Sequence, residues 1–436
     1  MDMQDSSTNG VPCDKNQSRI VRHFHFKTWE DKGKPQYGPH TLLAFMNRIH
    51  SLDKHGHGPL IVHCSAGVGR TGSFIALDIL QQMATKQQSV DIYNCVDRLR
   101  RERMFMVQTK EQYVFLHQTI VEFIKYTNTS HDCNRFSQKF ASVLDQQADP
   151  EIMSIMEVEL KHLTEQNPNT RSDNKSGLKE ENKDKNRNLE LVPDDSKRLF
   201  ISGIVGNYIN AISSDSFAAH NSRVVTQMPL PQTMADFWKL IMGENCRGII
   251  MLNQLDNTDP TCIPYWPKEI NGKKTYGQIK VELLATDEDT KSGFIVKRDF
   301  RVTEIKQREF GPANTMTVRQ FQLISWPNDQ ILPPQRKHLL DLMDHLQSWQ
   351  QSSKDSAEKG KVLVHCIDGG SRSGIFCGVS FMLDRMRIEQ DVNVYLSARY
   401  VSRNRPQFFD NILEYQFLYQ MAVEHLTESK EYANVR

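Results

Sequence analysis

The chain has 436 residues, 38% of them hydrophobic and 25% charged, with a net charge of +1. These values belong to soluble globular protein of two or three domains, and they give no bulk electrostatic case for binding nucleic acid or a membrane surface. No apolar run approaches membrane-spanning length, the first residues carry no signal peptide, and the eight cysteines show no paired C-x-x-C spacing, which fits a reducing cytosol better than a disulfide scaffold.

Residues 1–19 are polar and aperiodic and read as a disordered leader. Ile20-Val21-Arg22-His23-Phe24-His25-Phe26 alternates like a strand. It runs into Trp29-Glu30-Asp31-Lys32-Gly33-Lys34-Pro35, a loop punctuated by Gly and Pro. Over 41–52, Leu42, Phe45, Met46 and Ile49 mark one face of a helix. Pro59-Leu60-Ile61-Val62 reads as a short buried strand, and Ser73 to Leu80 as a helix.

Between that strand and that helix lies His63-Cys64-Ser65-Ala66-Gly67-Val68-Gly69-Arg70-Thr71-Gly72. A loop at a helix N-terminus aims backbone N–H groups at one spot and favours negative charge there. Glycines let such a loop curl around an anion. Cys64 in that field is expected to ionise readily. Arg70, six residues on, can fork two oxyanion oxygens, and Thr71 can hydrogen-bond the sulfur. These are the parts for phosphoryl transfer through a phosphocysteine. The competing reading is a structural cysteine in a Gly-rich turn; His63, Thr71 and the strand–loop–helix context weigh against it.

Further along, 90–103 forms an amphipathic helix through Ile92, Val96 and Leu99. After the turn Met106-Val107-Gln108-Thr109, another helix carries Tyr113, Leu116, Ile120 and Ile124. The chain turns polar near Thr127, 153–163 is helix-like, and 167–185 reads as a solvated, mobile loop. Then the order of elements repeats. Val318 to Trp326 echoes Val21 to Trp29, Val362 to Cys366 echoes Leu60 to Cys64, and Tyr415 to Tyr419 echoes Tyr113 to His117. Two copies of one domain follow from this.

The first copy resembles the C-terminal half of a classical protein tyrosine phosphatase domain. The tandem arrangement resembles receptor-type tyrosine phosphatases, and Thr226-Gln227-Met228-Pro229-Leu230-Pro231 and Pro264-Tyr265-Trp266-Pro267 look most like their MAM-containing subgroup. The resemblance implies an α/β fold: two tyrosine-phosphatase-like domains, each a twisted mixed sheet flanked by helices, with a Cys-x5-Arg phosphate loop between strand and helix. It implies a first domain over 20–127 that lacks its N-terminal side, a linker and domain start over 128–184, a second domain over 185–426, and a tail over 427–436. Cys64 would attack phosphotyrosine, with Cys64, Ser65, Ala66, Gly67, Val68, Gly69 and Arg70 holding the phosphoryl group. Trp29-Glu30-Asp31 aligns with the family's Trp-Pro-Asp loop, Glu30 replacing the usual proline, so Asp31 would be acid and then base. Gln108 would place the hydrolytic water, with Gln112 as the motif's second glutamine; on physics alone a helix-capping turn competes with that role. His63 would be a nearly buried histidine orienting the loop. No metal or cofactor is implied.

The second copy keeps Cys366 and Arg372, but Asp368 stands at the Ala66 position, and Asp410 and Glu414 at those of Gln108 and Gln112. Its loop reads Trp326-Pro327-Asn328-Asp329, one residue longer, with Asn328 where the acid belongs. Lys185-Asn186-Arg187 matches the phosphotyrosine-recognition loop, with Asn188 for its tyrosine. These departures read as a pseudophosphatase. Tyrosine-phosphorylated proteins are the implied partners, and Tyr432-Ala433-Asn434-Val435 resembles an adaptor docking site. The resemblance also implies a cytoplasmic chain whose full-length parent crosses the plasma membrane once. The alternative, from another class, is an inert scaffold whose two domains only hold partners.

Overall fold

The computed structural model describes residues 21–35, 38–52, 59–126, 129–145, 149–166, 176–201, 207–217, 219, 222–288, 293–305, 314–352 and 360–434. The expected leader over 1–19 lies outside them. The chain divides into two compact units, Met1–Asn128 and Thr129–Arg436.

The first unit is helical among its described residues: α1 (Pro39–Leu52), α2 (Gly69–Gln87), α3 (Ile92–Glu102) and α4 (Lys110–Tyr126). Asp91 caps α3 by accepting from the Asn94 N–H, and Gln88 ends α2 in the left-handed conformation. The apolar faces expected from spacing meet in one core. Leu42, Met46 and Ile49 of α1 pack with Leu77 and Leu80 of α2, Val96 of α3, and Leu116 and Ile120 of α4, around Trp29.

Two expected strands are not formed here. Residues 21–27 are extended without a ladder, and only Phe24 and Phe26 are partly covered. The run 59–62 was expected to be a buried strand; instead Leu60 and Ile61 are 51% and 83% exposed. A strand is stabilised by hydrogen bonds to a neighbour. Among the described residues of this unit, the one β pairing is the isolated bridge between Trp29 and Pro35.

The second unit carries the sheet. Its strands are β1 (His131–Asp132), β2 (Arg198–Phe200), β3 (Tyr208–Ser214), β4 (Arg223–Gln227), β5 (Cys246–Met251), β6 (Lys273–Tyr276), β7 (Ile279–Glu288), β8 (Ile295–Glu304), β9 (Thr315–Leu323), β10 (Lys361–Cys366) and β11 (Asp391–Val392). Nine of them form one mixed sheet in the order β2-β3-β4-β10-β5-β9-β8-β7-β6. β10 lies inside it, parallel to β4 on one side and β5 on the other. Buried on both faces, it reads as a continuous apolar run, as parallel strands do. Its helices are α5 (Cys133–Lys139), α6 (Pro150–Gln166), α7 (Glu180–Lys183), α8 (Met234–Gly243), α9 (Arg336–Ser352), α10 (Ser371–Glu389), α11 (Val394–Ser402) and α12 (Ile412–Asn434). α6 is fastened to α12 by a buried carboxylate: Glu159 accepts from the hydroxyls of Tyr415 and Tyr419 at 2.8 and 2.6 Å.

Two further expectations need correction. Residues 176–183 are not a loose solvated loop but a short 3-10 turn followed by α7, with Gly177 and Asn182 buried. The Asn182 amide donates to the Ser176 carbonyl and the Asn186 amide to that of Gly177, so these polar side chains serve local structure. Residues 167–175 lie outside the described set. The expected tail continues α12 as far as Asn434, through the backbone of Tyr432.

Hydrogen exchange tests the contrast between the two cysteine-bearing runs. The amides of 362–365, locked between two ladders, are expected to exchange about a thousandfold or more slower than those of 60–63. Equal protection of the two runs would contradict it.

Candidate active site

In the first unit Cys64 begins the loop that enters α2. Gly67 holds φ 68°, in the left-handed region, which turns the following N–H groups back toward the sulfur. Partial burial opposes ionisation of Cys64. The Thr71 hydroxyl and the N–H groups of Thr71, Gly67 and Val68 together outweigh it and bring the thiol down to about 7. The Thr71 hydroxyl is buried, with no partner at hydrogen-bond geometry among the described residues, and its influence falls on the sulfur. Beside the sulfur opens a groove of about 510 Å³, with Phe24, Phe26, Phe45, Val62 and Phe74 on its apolar walls.

Arg70 joins the loop to the tryptophan segment. Its Nη1 donates to the Trp29 carbonyl at 3.0 Å, and its Nη2 meets the Asp31 carboxylate at 3.2 Å. Its buried Nε–H has no acceptor among the described residues. The Trp29 indole closes its own loop by donating to the Gly33 carbonyl. The Asp31 side chain is 70% exposed. Gln108 and Gln112 crowd the start of α2: a Cβ on Gly69 would lie 3.0 Å from the Gln112 amide and 3.3 Å from the Gln108 carbonyl oxygen. The structure thus brings Cys64, Arg70, Asp31, Gln108 and Gln112 into one place.

His63 is not where it was expected. It is exposed and stacks on His23, with ring centroids 6.5 Å apart. Its counterpart His365 is fully buried, bonded to the Tyr265 hydroxyl at 2.8 Å, and pushed down to about 3 by burial. The difference follows from the strands: β10 is covered on both faces, whereas 59–63 has no ladder.

Sequence reasoning overlooked the arginines behind the loop. Arg103 donates to the Ala66 carbonyl at 3.1 Å, and Arg100 to the carbonyls of Met106 and Val107. A guanidinium satisfying loop carbonyls leaves the loop's N–H groups free to converge on the other side. The signal that could have found them is the repeat, since Arg405 serves the Gly369 carbonyl in the same way. Gly72 was also passed over. A Cβ there would lie 2.5 Å from the Val107 nitrogen, so only glycine lets the turn before Gln108 approach α2.

In the second unit the same frame holds different groups. The Trp326 indole bonds the carbonyl four residues on, that of Gln330, as Trp29 does to Gly33. The closed turn is therefore the same length in both copies, not one residue longer. Asn328 occupies the Asp31 position, but its amide is engaged with both backbone polar groups of Gln254. Asp368 turns into the loop and accepts from the Gly370 N–H at 2.9 Å and the Cys366 thiol at 3.4 Å. Burial first, then the Asp368 charge, push the Cys366 thiol up to about 11, against the hydrogen bonds from Ser373. Arg372 spends its donors on the carbonyls of Leu252, Trp326, Pro327 and Gln330. Asn188 caps the turn at Glu190 instead of facing a ligand. Asp410 and Glu414 are both pushed up by burial, and Glu414 accepts from the Ser371 hydroxyl.

Among the described residues there is no group of three or more metal-ligating side chains, no helix long and apolar enough to cross a membrane, and no disulfide. The protein-tyrosine phosphatase family model matches residues 4–122 and 182–424. Receptor-type tyrosine-protein phosphatase U of Gallus gallus is 34% identical over 414 residues, covering 93% of this chain and 28% of that protein. Receptor-type tyrosine-protein phosphatase S of the same species is 33% identical over 426 residues, covering 96% of this chain and 27% of that protein. The chain thus spans little more than a quarter of the length of these relatives. With both cysteine loops lying inside the matched segments, the chain belongs to the protein-tyrosine phosphatase family.

Proposed function

We propose that the first unit hydrolyses phosphotyrosine on proteins and that the second does not. The observation that carries this is the contrast between the two thiols, about 7 for Cys64 and about 11 for Cys366, on one loop frame. At neutral pH the first is about half thiolate and the second a thiol. Only the thiolate is a nucleophile.

In the proposed reaction the phosphoryl group enters the loop of Cys64, with its oxygens on the loop N–H groups and on the guanidinium of Arg70. An arriving dianion competes with Asp31 for Arg70, which releases the carboxyl toward the leaving oxygen. The Cys64 sulfur attacks phosphorus, an S–P bond forms, and the P–O bond to the tyrosine ring breaks. Asp31, which takes up a proton from solvent once it leaves Arg70, gives that proton to the phenolate oxygen. Water, placed by Gln108, then attacks phosphorus while Asp31 takes its proton. The S–P bond breaks, inorganic phosphate leaves, and the thiolate returns.

The second unit has a carboxylate in place of the ligand. Asp368 already takes an N–H of the cradle, and a like charge about 4 Å away costs roughly 4 kcal/mol at an effective dielectric near 20. That alone is worth about three decades in rate. With Asn328 in place of an acid and Arg372 committed to carbonyls, removing one defect leaves the others, so Asp368→Ala is not expected to restore turnover.

Two measurements test this reading. Alkylation of the full chain by iodoacetamide, followed by peptide mass spectrometry, is expected to label Cys64 with a midpoint near pH 7. The rate rises with pH, because the thiolate is the reacting form. Thr71→Ala removes a bond to the thiolate and moves the midpoint up, while Cys366 stays unlabelled at pH 8. Labelling of Cys366 ahead of Cys64 would reverse the assignment. In steady-state assays on an aryl phosphate, Cys64→Ser abolishes turnover and Cys366→Ser leaves it intact. Asp31→Ala lowers kcat by about 10²–10⁴ with little change in KM. No turnover by the wild-type chain would make it a binding protein, and turnover indifferent to Cys64 would overturn the assignment of the nucleophile.

A further inference from the structure

The Gln108-Thr109-x-x-Gln112 motif does more in this structure than supply a water-placing amide. Thr109 and Gln112 both reach across to the backbone of the Trp29–Asp31 loop. The Thr109 hydroxyl donates to the Lys32 carbonyl at 3.1 Å. The Gln112 amide donates to the Gly33 carbonyl at 3.2 Å. The same Gln112 side chain accepts, through Oε1, from the Gln108 N–H at 3.0 Å. Gln112 is fully buried, so its two bonds are partly shielded from competing water, whereas the Thr109–Lys32 bond is exposed. One side chain therefore ties the backbone that carries Gln108 to the backbone that follows Asp31.

We infer that Thr109 and Gln112 are positioning residues, a latch that holds the acid loop over Cys64 and couples its closure to the placement of Gln108. The second unit supplies the internal contrast. There the Gln112 position is Glu414, whose carboxylate has no N–H to give a carbonyl and accepts from Ser371 instead. Its Oε2 is buried without a partner among the described residues. The tryptophan loop of that unit is held instead by Arg372, through the carbonyls of Trp326, Pro327 and Gln330, and by the Asn328 amide on the Gln254 backbone. In the first unit Arg70 holds one carbonyl, that of Trp29, and the latch supplies the rest. The inference rests on the proposed role of Asp31 for its catalytic meaning, but the latch itself is a physical contact and can be measured without turnover.

The experiment is hydrogen exchange on the full chain, comparing wild type with Gln112→Glu, Thr109→Val and Thr109→Ser. Loss of an ordinary hydrogen bond is expected to speed exchange of the amides in 29–35 about fivefold in Gln112→Glu and Thr109→Val. Thr109→Ser keeps the hydroxyl and is expected to match wild type. A purely local role for Thr109, as the cap of α4, would speed only the amides of 110–113. Unchanged exchange over 29–35 in both Gln112→Glu and Thr109→Val overturns the latch. If Gln112→Glu also loosens 70–85, it has disturbed the unit as a whole, and Thr109→Val against Thr109→Ser decides. Because exchange does not depend on Cys64 chemistry, a chain that fails to turn over aryl phosphate but loses protection over 29–35 keeps the latch and loses only the proposed reaction.

Discussion

In both units the arginine six residues after the cysteine is held by the backbone of the tryptophan loop, so neither loop can move without the other. The consequences depend on how much of the guanidinium is spent. Arg70 gives one N–H to a carbonyl and one to an exposed carboxylate, a contact worth little in water. Arg372 gives its donors to four carbonyls and lies against the Trp326 ring. Freeing it would leave buried carbonyls unpaired, each at a cost of about 1–3 kcal/mol. The same residue is thus lightly held in one unit and a structural tie in the other.

The cradles divide in a parallel way. Hydrogen bonds to sulfur favour the thiolate in both, from Thr71 in one and Ser373 in the other. What differs is the opposition. Cys64 is partly open, so its desolvation is small enough to be overcome. Cys366 is buried and has Asp368 two residues away, and burial and like charge act in the same direction. Asp368 also gives the second loop an acceptor of its own, so the Gly370 N–H is not buried without a partner.

What was legible in the sequence divides along the range of the interactions. The cysteine loop, the acid loop and the four helices of the first unit depend on spacing and on neighbours within a few turns, and they stand where the pattern put them. The repeat was legible because Cys64 and Cys366, and Trp29 and Trp326, open the same local bonds. The run Leu60-Ile61-Val62 was not, because apolar character makes a strand only where another strand lies beside it. Val362 to Cys366 has β4 and β5; Leu60 and Ile61 have solvent. His63 went with that run. The polar stretch ending at Lys185 failed for the opposite reason: Asn182 and Asn186 look like solvated residues in composition, yet their amides satisfy carbonyls inside the fold. Composition does not say which carbonyl a side chain will find.

The turn before Gln108 shows why the long-range part of the site is rigid all the same. Phe105 and Val107 hold φ 68° and 56°, a conformation that costs a β-branched or bulky residue of order 1–3 kcal/mol. Such strain persists only where the surroundings leave no alternative. Here they leave none. Arg100 takes the carbonyls of Met106 and Val107, the Val107 N–H takes the Val68 carbonyl, and Gly72 opens the space the turn fills. Val68 is the residue on which α2 begins, and its N–H faces the Cys64 sulfur. The strained turn is therefore fastened to the cradle from behind, and Gln108 leaves it in a direction set by the loop that holds Cys64. Relaxing Val107 to ordinary backbone angles would break its bond to Val68 and move Gln108, so the strain and the placement of that amide are one constraint.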